Sequence, residues 1–60
     1  MYLFEAYYIN MDTDTKTTKK IEFDGQFFDT EKEIYLYAMS KAYDMTRENE
    51  CFSSLEFIAC

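Results

Sequence analysis

The stretch that decides the fold is "YLFEAYYINM", Tyr2–Met11, which is almost entirely apolar or aromatic although the chain carries a net charge of −6. Tyrosine, phenylalanine and isoleucine favour extended structure, so this stretch is predicted to form a strand. A strand with one face in water alternates apolar and polar residues, and this one does not. The pattern therefore raises the question of what covers the second face of this strand.

Two more elements follow the first strand. The segment "NMDTDTK", Asn10–Lys16, is rich in aspartate and threonine and predicts a hairpin turn. The next segment, Thr17–Asp24, alternates cleanly between the two faces of a strand, with Ile21 and Phe23 on the apolar face. Its lysines are typical of a sheet edge, because lysine discourages further strand pairing. The dipeptide Asp24-Gly25 is predicted to end this strand.

A helix is predicted from Glu31 to about Asn49. Thr30 stands three residues before Glu33, which is the spacing of a capping box. The helical period places an apolar stripe on one face, consisting of Ile34, Ala38, Ala42 and Met45, with Tyr35 and Met39 beside it. Leu36 and Tyr43 widen the apolar arc further than one small sheet requires, and Tyr37 is expected on the polar side.

The last strand is predicted over Cys51–Cys60. One face is expected to carry Leu55, Phe57 and Ala59, and the other Glu56, Ile58 and Cys60. Short right-handed connections favour the last strand beside the first, which gives a three-stranded, mainly antiparallel sheet of order 2-1-3. The sequence thus predicts a single small α+β domain over residues 1–60, in β-β-α-β order, with one helix packed on one face of the sheet.

The first strand offers two apolar sets of side chains, and only one of them can meet the helix. The sets are Tyr2, Phe4, Ala6 and Tyr8, and Leu3, Tyr7, Ile9 and Met11 around Glu5. The Leu3 set is expected to meet the helix. The other aromatic residues would then form an exposed patch with Ile58, consisting of Tyr2, Phe4, Tyr8 and Ile58. Tyrosine is common at interfaces, so this patch predicts a protein-interaction module that forms a homodimer or binds another protein.

Two alternatives to that patch remain open at this point. The tyrosine-rich face of the sheet can stand in water, or Phe27 and Phe28 can fold back over it. An acidic cluster supports a different function, and its members are Glu22, Asp24, Asp29, Glu31 and Glu33. These carboxylates could imitate phosphates and inhibit a nucleic-acid-binding protein, since complementary charge sets specificity. Acidic residues are also favoured at a helix N-terminus, which gives the cluster an ordinary structural explanation.

Several kinds of chemistry have no support in the residues present. The chain has no histidine, one glycine and no Cys-x-x-Cys motif, so we expect no catalytic triad, no phosphate-binding loop and no enzyme activity. The segment "DTDTK" resembles the start of a calcium loop, but Lys16 stands where a third oxygen ligand belongs. We therefore expect no catalytic residue, no metal site and no cofactor.

The cysteines and the charge bear on location and partners. Cys51 and Cys60 lie about 30 Å apart if extended, at about 3.3 Å per residue, which is far beyond disulfide reach. An internal disulfide is not expected, which favours a reducing, cytoplasmic location. Twelve acidic residues against six basic ones argue against direct binding of nucleic acid or of anionic membrane. No long apolar run or signal peptide is recognised, so no membrane association is expected.

The size, the acidity and the β-β-α-β order resemble small acidic proteins that phages and other mobile elements encode, including inhibitors that mimic DNA. The stretch from "IEFDGQFFDTEKE" to "LEFIAC" also resembles short uncharacterised proteins of Gram-positive bacteria. The first resemblance implies an inhibitor as a possible function, and the second implies none.

Overall fold

A computed structural model describes all 60 residues. Its elements are strand β1 (Tyr2–Asn10), strand β2 (Thr15–Phe23), a single 3-10 turn (Gly25–Phe27), helix α1 (Glu31–Asp44) and strand β3 (Glu50–Ala59). The three strands form one antiparallel sheet in the order β2-β1-β3, with β1 in the centre. The predicted α+β fold and strand order are confirmed. The single helix is too short to cross a membrane.

The β1–β2 hairpin is closed by the side chain of Asn10. Its Oδ1 atom accepts hydrogen bonds from the backbone N–H groups of Asp12 (2.9 Å) and Thr13 (3.2 Å). Asp14 takes the left-handed backbone conformation, with φ at 56°, which aspartate tolerates better than most residues. The turn therefore fixes the register in which Asn10 pairs with Thr15.

Helix α1 begins at the predicted residue and ends earlier than predicted. The Thr30 hydroxyl accepts a hydrogen bond from the Glu33 backbone N–H at 3.2 Å, and Glu33 accepts one from the Asp29 N–H at 3.1 Å. The predicted end near Asn49 is wrong, because the helix stops at Asp44. Strand β3 begins at Glu50 and pairs there with Asn10, so residues 45–49 must reverse the chain and cannot be helical.

The core lies between α1 and one face of the sheet. It consists of Phe4, Ala6, Tyr8, Ile21, Ile34, Ala38 and Ala42, all of which are buried. The alanines of the helix let its backbone come close to the sheet. The Tyr8 hydroxyl, which is fully buried, donates a hydrogen bond to the Ala42 carbonyl. That bond is needed, because a buried hydroxyl without a partner destabilises the fold.

The face of β1 that meets the helix is the opposite of the predicted one. Phe4, Ala6 and Tyr8 are buried beneath α1, whereas Leu3, Tyr7 and Ile9 lie on the other face and are partly exposed. The physical reason is Glu5, which belongs to the Leu3 set: under the helix its carboxylate would be buried, and a buried unpaired charge is costly. On the outer face Glu5 stays in contact with water.

Two β-bulges interrupt the alternation that was predicted for β3. The pairing with β1 shifts between Tyr7 and Tyr8 and again between Leu3 and Phe4, which leaves Ser53 and Ile58 as extra residues. Leu55 and Phe57 share the helix side of the sheet, as predicted. Ala59 pairs with Leu3 and lies on the other side, so the prediction that it shares the face of Leu55 is wrong.

Two residues of the helical region also differ from their predicted environments. Tyr37, which was expected on the polar side, packs its ring against Phe23 (4.7 Å between centroids) and Phe28 (5.2 Å). Met45 lies just after the helix and is exposed, because the helix ends before the apolar stripe reaches it. The helix therefore leans towards β2 in its first half, which decides where the sheet remains uncovered.

Candidate interaction surface

An apolar groove of about 700 Å³ lies between the first half of α1 and the C-terminal end of β3. We call it the α1–β3 groove. Its apolar lining is formed chiefly by Tyr2, Phe4, Ile34, Tyr35, Leu36 and Phe57. Only Glu31 and Lys32 at its rim carry charge. A groove with this lining is suited to apolar side chains.

The groove exists because α1 crosses the sheet at a slant. At the middle of the helix Tyr37 contacts Phe23 of β2, whereas near its end the Tyr43 ring lies 4.9 Å from that of Phe52 on β3. One helix of this length cannot cover all three strands. The uncovered part is the C-terminal end of β3, where Phe57 remains 50% exposed.

Aromatic rings form the floor of the groove. The Phe4 ring lies 5.4 Å from Phe57 and 6.3 Å from Tyr35, and both pairs pack edge to face. The Tyr2 ring lies 6.2 Å from Phe57. Ring pairs at these distances stabilise each other beyond the burial of their area. The floor is therefore preformed, and an occupant would not have to order it.

The wall and the rim of the groove add exposed groups. Leu36 on the helix wall is 54% exposed. At the open end lies Cys60, which is exposed and free, as is Cys51 near the other end of β3. The two thiols are not bonded to each other.

The predicted aromatic patch is only partly brought together. Tyr2 and Phe4 line the groove, Tyr8 is fully buried beneath α1, and Ile58 is an exposed residue at the second bulge. The expectation that these four residues form the outer, uncovered face of the sheet is therefore wrong. The groove itself was missed, although Leu36, which widens the apolar arc of the helix, was a sequence signal for it.

The outer face of the sheet is more polar than the groove. The Tyr7 hydroxyl lies 2.9 Å from a carboxylate oxygen of Glu5 and 2.7 Å from one of Glu56. These two hydrogen bonds, the one to Glu56 first, raise the pKa of the Tyr7 phenol above its ordinary value. Phe27 and Phe28 do not cover this face, since Phe27 points into solvent and Phe28 packs against Phe23.

The acidic cluster follows the connection from β2 to α1. All five carboxylates are exposed, and its members are Glu22, Asp24, Asp29, Glu31 and Glu33. Two have structural partners: Asp24 accepts a hydrogen bond from the Gln26 N–H at 3.0 Å, and Glu33 accepts one from the Asp29 N–H. No three acidic or sulfur side chains in the molecule are grouped closely enough to hold a metal ion.

Comparison of the chain with protein-family models, with curated proteins and with solved structures finds no match. Function is therefore inferred from the geometry of this chain.

Proposed function

We propose that the chain is a small, non-enzymatic protein-interaction module of the cytoplasm that self-associates through the α1–β3 groove. The observation that carries the proposal is a preformed apolar groove on a protein whose core contains only seven buried side chains. Domains of this size usually need a further stabilising element, such as a disulfide, a metal or a partner. A second copy that covers the groove would supply that element.

The exposure of the lining supports an apolar partner. Leu36 and Phe57 both line the groove and are each about half exposed. Contiguous apolar surface of this kind marks interaction sites on small proteins. The two free, exposed thiols fit a reducing compartment, because exposed cysteines form disulfides under oxidising conditions.

The test is the molar mass in solution, measured by light scattering after size exclusion, with reducing agent and at several concentrations. We expect a mass near twice 7.2 kDa for the natural chain. Leu36→Glu places a charge in the groove on an exposed helical position and is expected to give a monomer. Phe27→Glu is the matched control, because Phe27 is 81% exposed and lies outside the groove. A monomeric natural chain at every concentration would refute self-association.

The competing hypothesis is an acidic inhibitor of a nucleic-acid-binding protein, which would act through Glu22, Asp24, Asp29, Glu31 and Glu33. Capping by Asp24 and Glu33 already explains why two of these carboxylates are present. Glu22 pairs with Leu3 and so lies on the outer face of the sheet, opposite the groove. Reversing its charge is expected to leave the dimer mass unchanged. A loss of the dimer in Glu22→Lys would show that the acidic surface takes part in association.

A further inference from the structure

We infer that the second copy pairs with the first along β3, so that two three-stranded sheets join into one sheet of six strands. The inference rests on the proposed self-association and specifies its geometry. Strand β3 is an edge strand, since it pairs only with β1. An edge strand presents unpaired backbone N–H and C=O groups that another strand can bind.

The two edges of the sheet differ in how they resist such pairing. Strand β2 carries Lys16, Lys19 and Lys20 and is protected in the usual way. Strand β3 carries no lysine, arginine or proline, and between its two bulges its only charged residue is Glu56. The unprotected edge is also the one that borders the α1–β3 groove, through Phe57.

The side chains of β3 distinguish between possible registers of an antiparallel pair of identical strands. Paired residues must lie on the same face of the sheet. The two-fold axis therefore passes midway between one residue and the same residue of the second copy. An axis at Glu56 would set two carboxylates directly opposite each other, which is destabilising. An axis at Leu55 instead sets Leu55 against Leu55 of the second copy, and Ser54 against Glu56. The register centred on Leu55 is therefore favoured over the one centred on Glu56, and it is the one we infer.

This register also provides an occupant for the groove. A two-fold axis perpendicular to the sheet places both helices on the same side of the joined sheet. Antiparallel pairing brings Phe57 of one copy beside Ser53 of the other, next to Phe52 and to the Tyr43 ring that packs on it. Tyr43 is 59% exposed in the single chain. Its ring would cover the groove of the neighbouring copy.

The exposed apolar side chains on the helix side of the sheet can supply buried area to a dimer interface. Four large exposed side chains lie on or beside it, namely Tyr35, Leu36, Tyr43 and Phe57. Stable interfaces bury about 800 Å² per partner, and one aromatic side chain can bury about 150–250 Å². The two bulges keep the strand pairing short, so these side chains must provide most of the buried area.

The register is tested by symmetric disulfides in a chain in which Cys51→Ser and Cys60→Ser remove the natural thiols. Leu55→Cys is expected to form a covalent dimer rapidly under mild oxidation, and Glu56→Cys at least ten-fold more slowly. Faster cross-linking of Glu56→Cys would overturn the register. Equally slow cross-linking of both, in a chain that light scattering shows to be dimeric, would overturn the register centred on Leu55 and leave the proposed self-association standing.

A second measurement uses the natural chain, in case Leu55→Cys does not fold. Amide hydrogen exchange is compared at concentrations where the chain is dimeric and where it is monomeric. Alternate amides within residues 53–57 are expected to gain at least ten-fold protection in the dimer, because only the outward N–H groups find new partners. A dimer without that gain would overturn the inference. A chain that is monomeric at every concentration would overturn both the inference and the proposed function.

Discussion

Glu5 and Glu56 lie directly opposite each other on β1 and β3, and the Tyr7 hydroxyl is within hydrogen-bond distance of both carboxylates. Like charges in this arrangement repel each other across the strands. The phenol carries one proton and can donate to only one carboxylate at a time. Tyr7 therefore reduces the repulsion of a pair that β-sheets ordinarily avoid.

Tyr7→Phe is expected to lower the thermal unfolding temperature at pH 7 by a few degrees, because the carboxylates lose their shared donor. Glu56→Gln in the same chain should restore most of the loss, since it removes the repulsion. Thermal unfolding followed by circular dichroism measures both. If Tyr7→Phe were as stable as the natural chain, the hydroxyl would have no stabilising role.

The same hydroxyl predicts how stability changes in alkali. The hydrogen bonds to Glu56 and Glu5 raise the pKa of Tyr7 in the folded chain, whereas an unfolded tyrosine ionises near pH 10. The contribution of Tyr7 is therefore complete below about pH 10 and is lost as the pH rises further, because the unfolded chain ionises first. Denaturant unfolding at pH 9 and pH 11 should show a smaller decrease in stability for Tyr7→Phe than for the natural chain.

Acid is expected to weaken the stabilising contact between Lys19 and Glu50. The hydrogen bond from Lys19, at 2.6 Å, and that from the Arg47 backbone N–H lower the pKa of Glu50 below its ordinary value of 4.5. This stabilisation is present above about pH 4.5 and is lost as the pH falls through the lower value of the folded chain. Glu50→Gln should be less stable than the natural chain at pH 7, and the difference should shrink towards pH 3.

Urea unfolding across that pH range measures the effect. Glu48→Gln is the matched control, because Glu48 is an exposed residue in the same connection. Glu48→Gln should not change how the free energy of unfolding depends on pH. A difference between Glu50→Gln and the natural chain that stayed constant from pH 7 to pH 3 would contradict the role of the charge.

Substitution of the only glycine is expected to destabilise the fold. Gly25 is buried, and a Cβ atom at this position would overlap the ring of Tyr2. That ring stacks on Phe23, with centroids 6.1 Å apart, so it cannot move away freely. Gly25→Ala is expected to lower the free energy of unfolding by about 1–3 kcal/mol, as overpacked sites usually do.

Urea denaturation with a double-mutant cycle separates overlap with the Tyr2 ring from a requirement of the backbone for glycine. In a Tyr2→Ala chain the ring is absent, and the additional cost of Gly25→Ala should nearly disappear. Gln26→Ala, which changes the exposed neighbour, serves as the control for the turn itself. An equal cost of Gly25→Ala with and without the Tyr2 ring would show that backbone conformation, and not the overlap, requires glycine.

The sequence predicted the elements of this fold because each has a local cause. Thr30 and Glu33 set the helix start, Asn10 and the residues after it set the hairpin, and the lysines of β2 indicated an edge. The order β2-β1-β3 followed from connection lengths. These are short-range effects, and the structure confirms them.

The two main errors differ in their range. The choice between the two faces of β1 had a local signal, although the fit of α1 over Ala6 also involves Ala38 and Ala42 on another element. Glu5 carried the decisive signal, because its carboxylate could not lie beneath the helix. The groove depended on the slant of α1, which the contact between Tyr37 and Phe23 helps to set. The spacing of residues within one segment does not predict the angle at which α1 crosses the sheet.

If copies join along β3 as proposed, the lysines of β2 limit how many of them can join. A sheet with two receptive edges can add chains without end and grow into a filament, which is a hazard for any protein with exposed strands. Here one edge carries Lys16, Lys19 and Lys20, and these charges would meet their own copies in any further β2–β2 contact. Growth would therefore stop once β3 is paired, and the product would be a closed particle of defined size.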